Sequence, residues 1–307
     1  MTSASDPASC LRPAAVGTAL SGEQIGLIGV GLMGTALAER LLVGGFKVLG
    51  FDIHAARMMA LRGLGGQLAS GVGEIASVCR HIFLSLPDGE AVQEVFGGMA
   101  GRLGAGRTII DTTTGCPSDA ACTGRRLDAC GVGYLEAPML GSSSQTRQGD
   151  VVVVVGGPAQ VFAECQNLFQ LFARRTFHVG PWGSGSQMKL AANLVLGLNR
   201  AVLAKGLAFA GSLGLDPEVT LRILRESIAY SRIMDTKGGK MVGGDFEPEA
   251  RLAQHLKDVR LILKAGLEKG ARLPLSETHQ RLLEQAEKAG LGALDNSAII
   301  RVFEAMK

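Results

Sequence analysis

Apolar residues follow two different rhythms along this chain. From Gln24 to about Val179, short apolar runs alternate with longer stretches in which apolar positions recur three and four residues apart. The short runs read as buried strands and the longer stretches as helices with one packed face. Strands are predicted at Gln24–Gly29, Phe46–Asp52, His81–Leu86, Thr108–Asp111, Tyr134–Met139, Asp150–Val155 and near Thr176–Val179, with helices between them. The β-branched run Asp150–Val155 reads as a strand covered on both faces. Strands separated by helices imply parallel pairing with right-handed crossovers. Beyond residue 183 only the helical rhythm remains. One long helix runs to about Gly211; Asp216 then caps a helix with Pro217 in its first turn, reaching about Tyr230. Further helices are expected over 251–268, 274–289 and 295–306. The pattern predicts an α/β domain over 23–182 with a parallel-rich sheet, then an all-α domain over 183–307 joined to it by the long helix. Residues 1–22, rich in Ala, Ser and Thr, read as a disordered extension or a misassigned start.

The long helix is unusual in its polar residues. At 100° per residue, Ser186, Lys189, Asn193, Gly197 and Arg200 share one narrow stripe on a helix otherwise built from Leu, Val, Ala, Met and Phe. Lys189 and Asn193 are thus neighbours, four apart, in apolar surroundings. A lysine there either carries its charge out to water or needs a partner or a task, because burial disfavours the charged form.

Composition narrows the classes. With 307 residues and 47% hydrophobic content there is material for two cores. A net charge of +3, with Lys and Arg scattered, predicts no nucleic-acid partner. No apolar run reaches the roughly 18 residues of a membrane span, and the N-terminus lacks a signal-peptide pattern, so a cytoplasmic protein is expected. The six cysteines form no C-x-x-C pair and the five histidines no metal-ligand spacing. They read as reduced, mostly buried thiols in a protein without a metal.

The first strand runs into Gly29-Val30-Gly31-Leu32-Met33-Gly34 and then a helix. In that setting Gly29 permits the tight turn, Gly31 lets backbone approach a pyrophosphate, and Gly34 lets helix pack on strand, with the helix N-terminus facing the phosphates. Asp52 follows Gly29 by 23 residues, close to the offset at which an acid meets the ribose hydroxyls. The two features together predict a Rossmann-type dinucleotide site. Asp52 repels a 2′-phosphate and so favours NAD over NADP; Arg57 nearby is either a counterweight to that preference or a solvated helix charge. Leu86, Pro87 and Thr114, just past strand ends, belong either to the cofactor rim or to turn chemistry.

With these segments placed, residues 23–306 resemble the β-hydroxyacid dehydrogenase family. The resemblance rests on the glycine loop, on Glu136-Ala137-Pro138-Met139-Leu140-Gly141-Ser142, on Gly183-Ser184-Gly185-Ser186-Gln187-Met188-Lys189 with Asn193, and on Lys257-Asp258. It implies that Lys189 is the general acid/base between a nicotinamide cofactor and a small 3-hydroxyacid or its semialdehyde. It also implies that Asn193 and the Gly141 region hold substrate, that Thr114 lies near the nicotinamide, and that Lys257 and Asp258 close the site, Lys257 on the cofactor side. Two departures stand out. Leu140 replaces a usual serine, leaving recognition to the N–H groups of Gly141 and Ser142 or to the hydroxyls of Ser142 and Ser143. Ala250 replaces a usual phenylalanine and is followed by Arg251, which either forks onto a second anionic group of a larger substrate or begins a helix on its solvent face. Rival readings are a reductase of tartronate semialdehyde, of a bulkier aldehyde or of an imine, and a catalytically silent dinucleotide-binding scaffold. The apolar long helix also suggests a homodimer or homotetramer.

Overall fold

The computed structural model describes residues 22–306, so the extension read over 1–22 lies outside them apart from Gly22. Nine strands make one sheet: β1 Gln24–Ile28, β2 Lys47–Phe51, β3 Gln67–Leu68, β4 His81–Leu84, β5 Thr108–Asp111, β6 Gly133–Glu136, β7 Met139–Leu140, β8 Val151–Gly156 and β9 Ala173–Gly180. Their order is β3-β2-β1-β4-β5-β6-β8-β7, with β9 pairing β8. Neighbours from β3 through β6 run parallel. The chain reverses direction of winding between β1 and β4, which opens a crevice at their carboxyl ends.

The helices that cover the sheet are α1 Leu32–Val43, α2 Ala55–Gly63, α3 Val72–Val78, α4 Gly89–Met99, α5 Pro117–Asp128, α6 Ser143–Gln148 and α7 Ala159–Phe169. One face buries Ile25, Leu27, Leu37, Phe83 and Phe172, and the other Ile28, Ile82, Leu84, Met99 and Tyr134. The run Tyr134–Met139 is not one strand. Pro138 has no N–H to give a ladder, and the chain breaks there into β6 and β7. Both pair with β8 in the antiparallel sense, so β8 departs from the parallel rule while still pairing parallel to β9. The sequence pattern gave no sign of β3 and α3, which are too short to show a period.

The helical half comprises α8 Ser184–Ser212, α9 Pro217–Glu226, α10 Gly239–Gly243, α11 Leu252–Glu268, α12 Pro274–Lys288 and α13 Ile300–Glu304. Leu203, Ala204, Leu207, Leu221, Leu256, Leu283 and Ile299 form its core. The helix after Pro217 stops at Glu226 rather than Tyr230. There the Ser227 hydroxyl donates to Leu224 O and accepts from Ala229 N–H, local bonds that replace helical ones. The predicted helix at 295 begins as a 3₁₀ turn, Asn296–Ile299. Of the five described cysteines, all free, Cys79 and Cys165 are buried; Cys122 and Cys130 are exposed, against the expectation of mostly buried thiols.

By length and composition alone, α8 suffices to cross a membrane, contrary to the reading of its sequence. Inside the fold its apolar content has another use: Leu190, Ala201, Leu203, Ala204 and Leu207 pack inward. Met188, Val195, Val202 and Phe209, seven apart, form an exposed row.

The two halves meet at the start of α8. Gly183, its N-cap, has φ +97° and no side chain to cap with. Glu136 at the end of β6 supplies the missing acceptor. Its buried carboxylate takes the N–H groups of Gly183, of Gly185 at 3.0 Å and of Ser186 at 3.1 Å, along with the Ser186 hydroxyl. Burial raises the Glu136 pKa while those bonds oppose the rise. A negative group at a helix N-terminus is also favoured by the helix dipole. Glu136→Gln keeps the shape but turns an NH₂ toward donors. Urea unfolding should show a loss of about 2–4 kcal/mol; a loss below about 0.5 kcal/mol, the range of neutral surface changes, would refute this role for the carboxylate.

Candidate active site

Everything chemically distinctive lies where the β1–β4 crevice faces the α8 stripe. At the crevice, Gly29 sits at φ +90°, and a Cβ there would come within 2.3 Å of Ser85 O. At Gly34 a Cβ would lie 1.9 Å from Gly29 O, so only glycine allows α1 to pack this closely. Gly31, the N-cap of α1, has no protein atom within 4 Å of its Cβ position. That space lies before a helix start with no side-chain cap and no acid in its first turn, so the N–H groups of Leu32, Met33 and Gly34 are available to an anion. These residues fit the pyrophosphate of a dinucleotide.

Asp52 follows β2 directly, beside this loop. One oxygen accepts from Val30 N–H at 2.8 Å; the other accepts from His54 N–H and faces His54 Nδ1, both at 2.9 Å. Arg57 reaches the same carboxylate at 3.3 Å. Burial works to raise the Asp52 pKa, but the His54, Val30 and Arg57 bonds outweigh it and hold the carboxyl below its ordinary value. Arg57 is thus an ion-pair partner rather than a solvated charge, and His54 was not singled out by the sequence.

Past the ends of β4 and β5 lie Leu86, Pro87 and Thr114. Leu86 N–H donates to Thr113 Oγ1 at 3.2 Å, tying the two turns together. Asp111 holds the second turn from beneath, accepting from Thr113 N–H at 2.9 Å and from the Tyr134 hydroxyl at 3.0 Å. Its carboxyl is pushed up to about 6 by burial.

Facing this rim is the α8 stripe. Glu136 fixes Ser186, and one turn on Lys189 is buried with Nζ donating to Met139 O at 2.6 Å. Its pKa falls to about 8: burial lowers it, the Asp258 carboxylate pulls it back, and Lys257 and Arg200 lower it further. Another turn on, Asn193 Nδ2 donates to Asp258 Oδ2 at 2.9 Å. A carboxylate only accepts, so the amide must present Nδ2 to it, leaving Asn193 Oδ1 to face elsewhere. Lys257 Nζ lies 3.3 Å from Asp258 Oδ1 and donates to Pro87 O at 2.9 Å and Thr114 O at 2.8 Å. Gln254 Nε2 donates to Pro87 O at 3.0 Å, a cross-domain contact that the sequence reading missed. Gln254 and Lys257 are one turn apart on α11, so period three was its only signal.

The substrate loop differs from expectation. Ser142 is the N-cap of α6: its N–H donates to Gln145 Oε1 at 3.0 Å, and its Oγ accepts from Gln145 N–H. Ser143 Oγ donates to Glu249 O at 3.4 Å. The Ser142 N–H is therefore committed to a capping box rather than free for a ligand, a signature present in Ser142-x-x-Gln145. Leu140 lies half-buried in β7, and Gly141, where a Cβ would press to 2.7 Å on Val151 Cγ1, remains with backbone alone to offer. Ala250 N–H is anchored on Asp295. Arg251 is an exposed N-cap of α11 with no side-chain hydrogen bond or ion pair among the described residues. Glu136 was legible only as part of a motif; its role as cap needed the fold.

Two family models cover the chain. One, described as the NAD binding domain of 6-phosphogluconate dehydrogenase, matches residues 24–180. The other, described as the NAD-binding of NADP-dependent 3-hydroxyisobutyrate dehydrogenase, matches residues 183–303. The 2-(hydroxymethyl)glutarate dehydrogenase of Eubacterium barkeri is 33% identical over 92% of this chain and 95% of its own length. The 2-hydroxy-3-oxopropionate reductase of Escherichia coli is 31% identical over 92% and 98%. A 3-hydroxyisobutyrate dehydrogenase structure from Salmonella typhimurium shares the fold with a TM-score of 0.84, at 24% identity over 91% of this chain and 99% of that one. A glycine cradle fitted to a dinucleotide, a buried lysine opposite it and these relationships agree: the chain belongs to the β-hydroxyacid dehydrogenase family of nicotinamide-dependent oxidoreductases.

Proposed function

We propose that the protein interconverts a small 3-hydroxyacid and its semialdehyde, with Lys189 as general acid/base. One observation carries this: a buried lysine, its pKa lowered to about 8, faces the rim of a dinucleotide crevice. When bound, the nicotinamide supplies or takes up the hydride. Lys189 gives a proton to the carbonyl oxygen in reduction and takes the hydroxyl proton in oxidation, while Met139 O holds Nζ in place. Asn193, its amide fixed by Asp258, offers Oδ1 to the substrate hydroxyl. Lys257 keeps the cofactor rim closed on α11, and Gly141 contributes backbone to the substrate carboxylate. Asp52 meets the adenosine ribose and favours NAD, with Arg57 turned onto Asp52 rather than toward a 2′-phosphate. The exposed row Met188, Val195, Val202 and Phe209 suits a second copy of the chain, giving a homodimer or homotetramer in the cytoplasm.

Lys189→Ala should lower kcat by about 10²–10⁴-fold on the best substrate of a panel holding 3-hydroxyisobutyrate, tartronate semialdehyde and a cyclic imine, run with NAD and NADP in parallel. NADH affinity should stay near the parent's. Near-parental turnover by the variant, or a clear preference for the imine, would remove the lysine assignment or the substrate class respectively; a preference for NADP would remove the Asp52 reading.

The pH profile has a definite sign. The neutral amine is needed for hydroxyacid oxidation, so kcat should rise through about pH 8, and the ammonium is needed for reduction, so that rate should fall over the same span. Parallel profiles in the two directions contradict the role.

Sedimentation should find an assembly larger than a monomer, weakened by Val202→Asp with Phe209→Asp. A monomeric parent would show that this face is not a subunit contact.

A further inference from the structure

Behind Asn193 the α8 stripe continues into a cluster whose hydrogen-bonding groups the reaction above does not use. Arg200 is buried at 3% exposure, yet its Nε and Nη1 have no hydrogen-bond partner among the described residues. His255 of α11 and His279 of α12, also buried, each leave Nε2 unpartnered. Asn296 Oδ1 at the 3₁₀ turn is an unpartnered acceptor of the same kind. These groups converge on α8. A Cβ at Gly197 would meet His255 Nε2 at 2.4 Å and His279 Cε1 at 2.8 Å, and the two imidazoles stand 5.2 Å apart, centroid to centroid. Burial and the Arg200 charge hold both rings neutral, His279 and Lys189 adding to this at His255: His279 is lowered to about 4 and His255 well below the ordinary value. Arg200 is therefore a fixed cation next to two uncharged rings that can each donate from Nε2.

A buried guanidinium without a carboxylate across from it is costly. The carboxylates whose charge bears on Arg200 are Asp295 and Asp258. Neither accepts a hydrogen bond from Arg200 Nε or Nη1: Asp258 Oδ2 is engaged by Asn193 and its buried Oδ1, which makes no hydrogen bond, lies 3.3 Å from Lys257 Nζ, while Asp295 Oδ2 takes Lys237 at 2.9 Å and its Oδ1 takes Ser297 Oγ at 2.8 Å. Nor does burial set the cluster apart from the site, because Asn193 is itself only 3% exposed and lies on the same helix face. Arg200 follows Asn193 by seven residues, about 10 Å along the axis. A long helical side chain leans back toward the N-terminus and recovers about half of that. The remainder is comparable to the span from a hydroxyl-bearing carbon to a carboxylate two or three carbons away.

We propose that Arg200, with His255 and His279, is a subsite for a second carboxylate at the far end of the substrate, making dicarboxylic 3-hydroxyacids the preferred class. The proposal rests on the hydroxyacid reading of the site. It also assigns a role to the exchange of serine for Leu140: a chain that has lost one side-chain donor to the near carboxylate gains anchoring at the far one. The planar fork of arginine suits a carboxylate better than lysine does.

Binding of unreactive acids separates this from the reaction itself. Glutarate and pentanoate, equal in chain length and differing by the terminal carboxylate, are titrated into the full-length protein with NADH bound. Glutarate should bind at least about tenfold more tightly, and Arg200→Leu should bring the two within about twofold, the loss expected when one partner of a buried charge pair is truncated. Arg200→Lys, which keeps the charge, should retain part of the difference and serves if the leucine variant does not fold. Equal binding of the two acids by the parent protein, or a difference that survives in the Arg200 variants, overturns the subsite and leaves the buried cluster with solvent alone. A glutarate preference without turnover of any hydroxyacid would instead overturn the proposed reaction while the subsite stands.

Discussion

A single carboxylate determines how the two halves are set against each other. The start of α8 carries several N–H groups that the helix cannot satisfy and a glycine N-cap that has nothing to offer them. Glu136, at the last position of a sheet strand, closes that deficit from across the domain boundary. The contact is buried and made of several bonds at once, so it fixes both the position and the rotation of the helix. Everything downstream on the stripe inherits that rotation: Ser186 touches Glu136 itself, Lys189 comes one turn later against Met139 O, and Asn193 a turn beyond meets Asp258. A strand end and its partner helix thus convert sheet geometry into the placement of a reactive amine.

The second determinant is the charge balance around that amine. Burial lowers the proton affinity of Lys189; the Asp258 carboxylate opposes this, and the cations of Lys257 and Arg200 lower it further. The outcome near 8 is a compromise among groups on α8 and α11, and Asp258 takes part twice, as a charge and as the acceptor that orients the Asn193 amide. Lys257 is likewise shared. Its ammonium faces Asp258 on one side and the Pro87 and Thr114 carbonyls of the sheet domain on the other, so the proton affinity of Lys189 is linked to contacts across the crevice.

Much of this was readable in the sequence because it depends on period and spacing. The alternation before residue 183 gave the sheet and the helices, the stripe on α8 gave Lys189 and Asn193, and the glycine loop with Asp52 gave the cofactor side. What was not legible depends on contacts between distant segments. Pro138 hid the break between β6 and β7 within one apolar run, although its missing N–H is the reason for it. The Ser142-x-x-Gln145 spacing is that of a capping box, masked because a serine at this position also suits a substrate carboxylate. Gln254, His255 and His279 carried no local sign, since an uncharged ring or amide on a helix face is ordinary until its neighbours are known. Arg251, a charge at the N-cap of α11, has its side chain in the open.

The two faces of α8 have a joint consequence. The stripe from Ser186 to Arg200 and the row from Met188 to Phe209 belong to one continuous rod, and inserting or deleting a single residue in it would rotate everything beyond by about 100°. Such a change between Gly183 and Lys189 would carry the amine off Met139 O and the apolar row off its own direction together. Length variation in descendants of this chain is therefore expected to collect in the loops flanking α8, while the helix itself diverges by substitution alone.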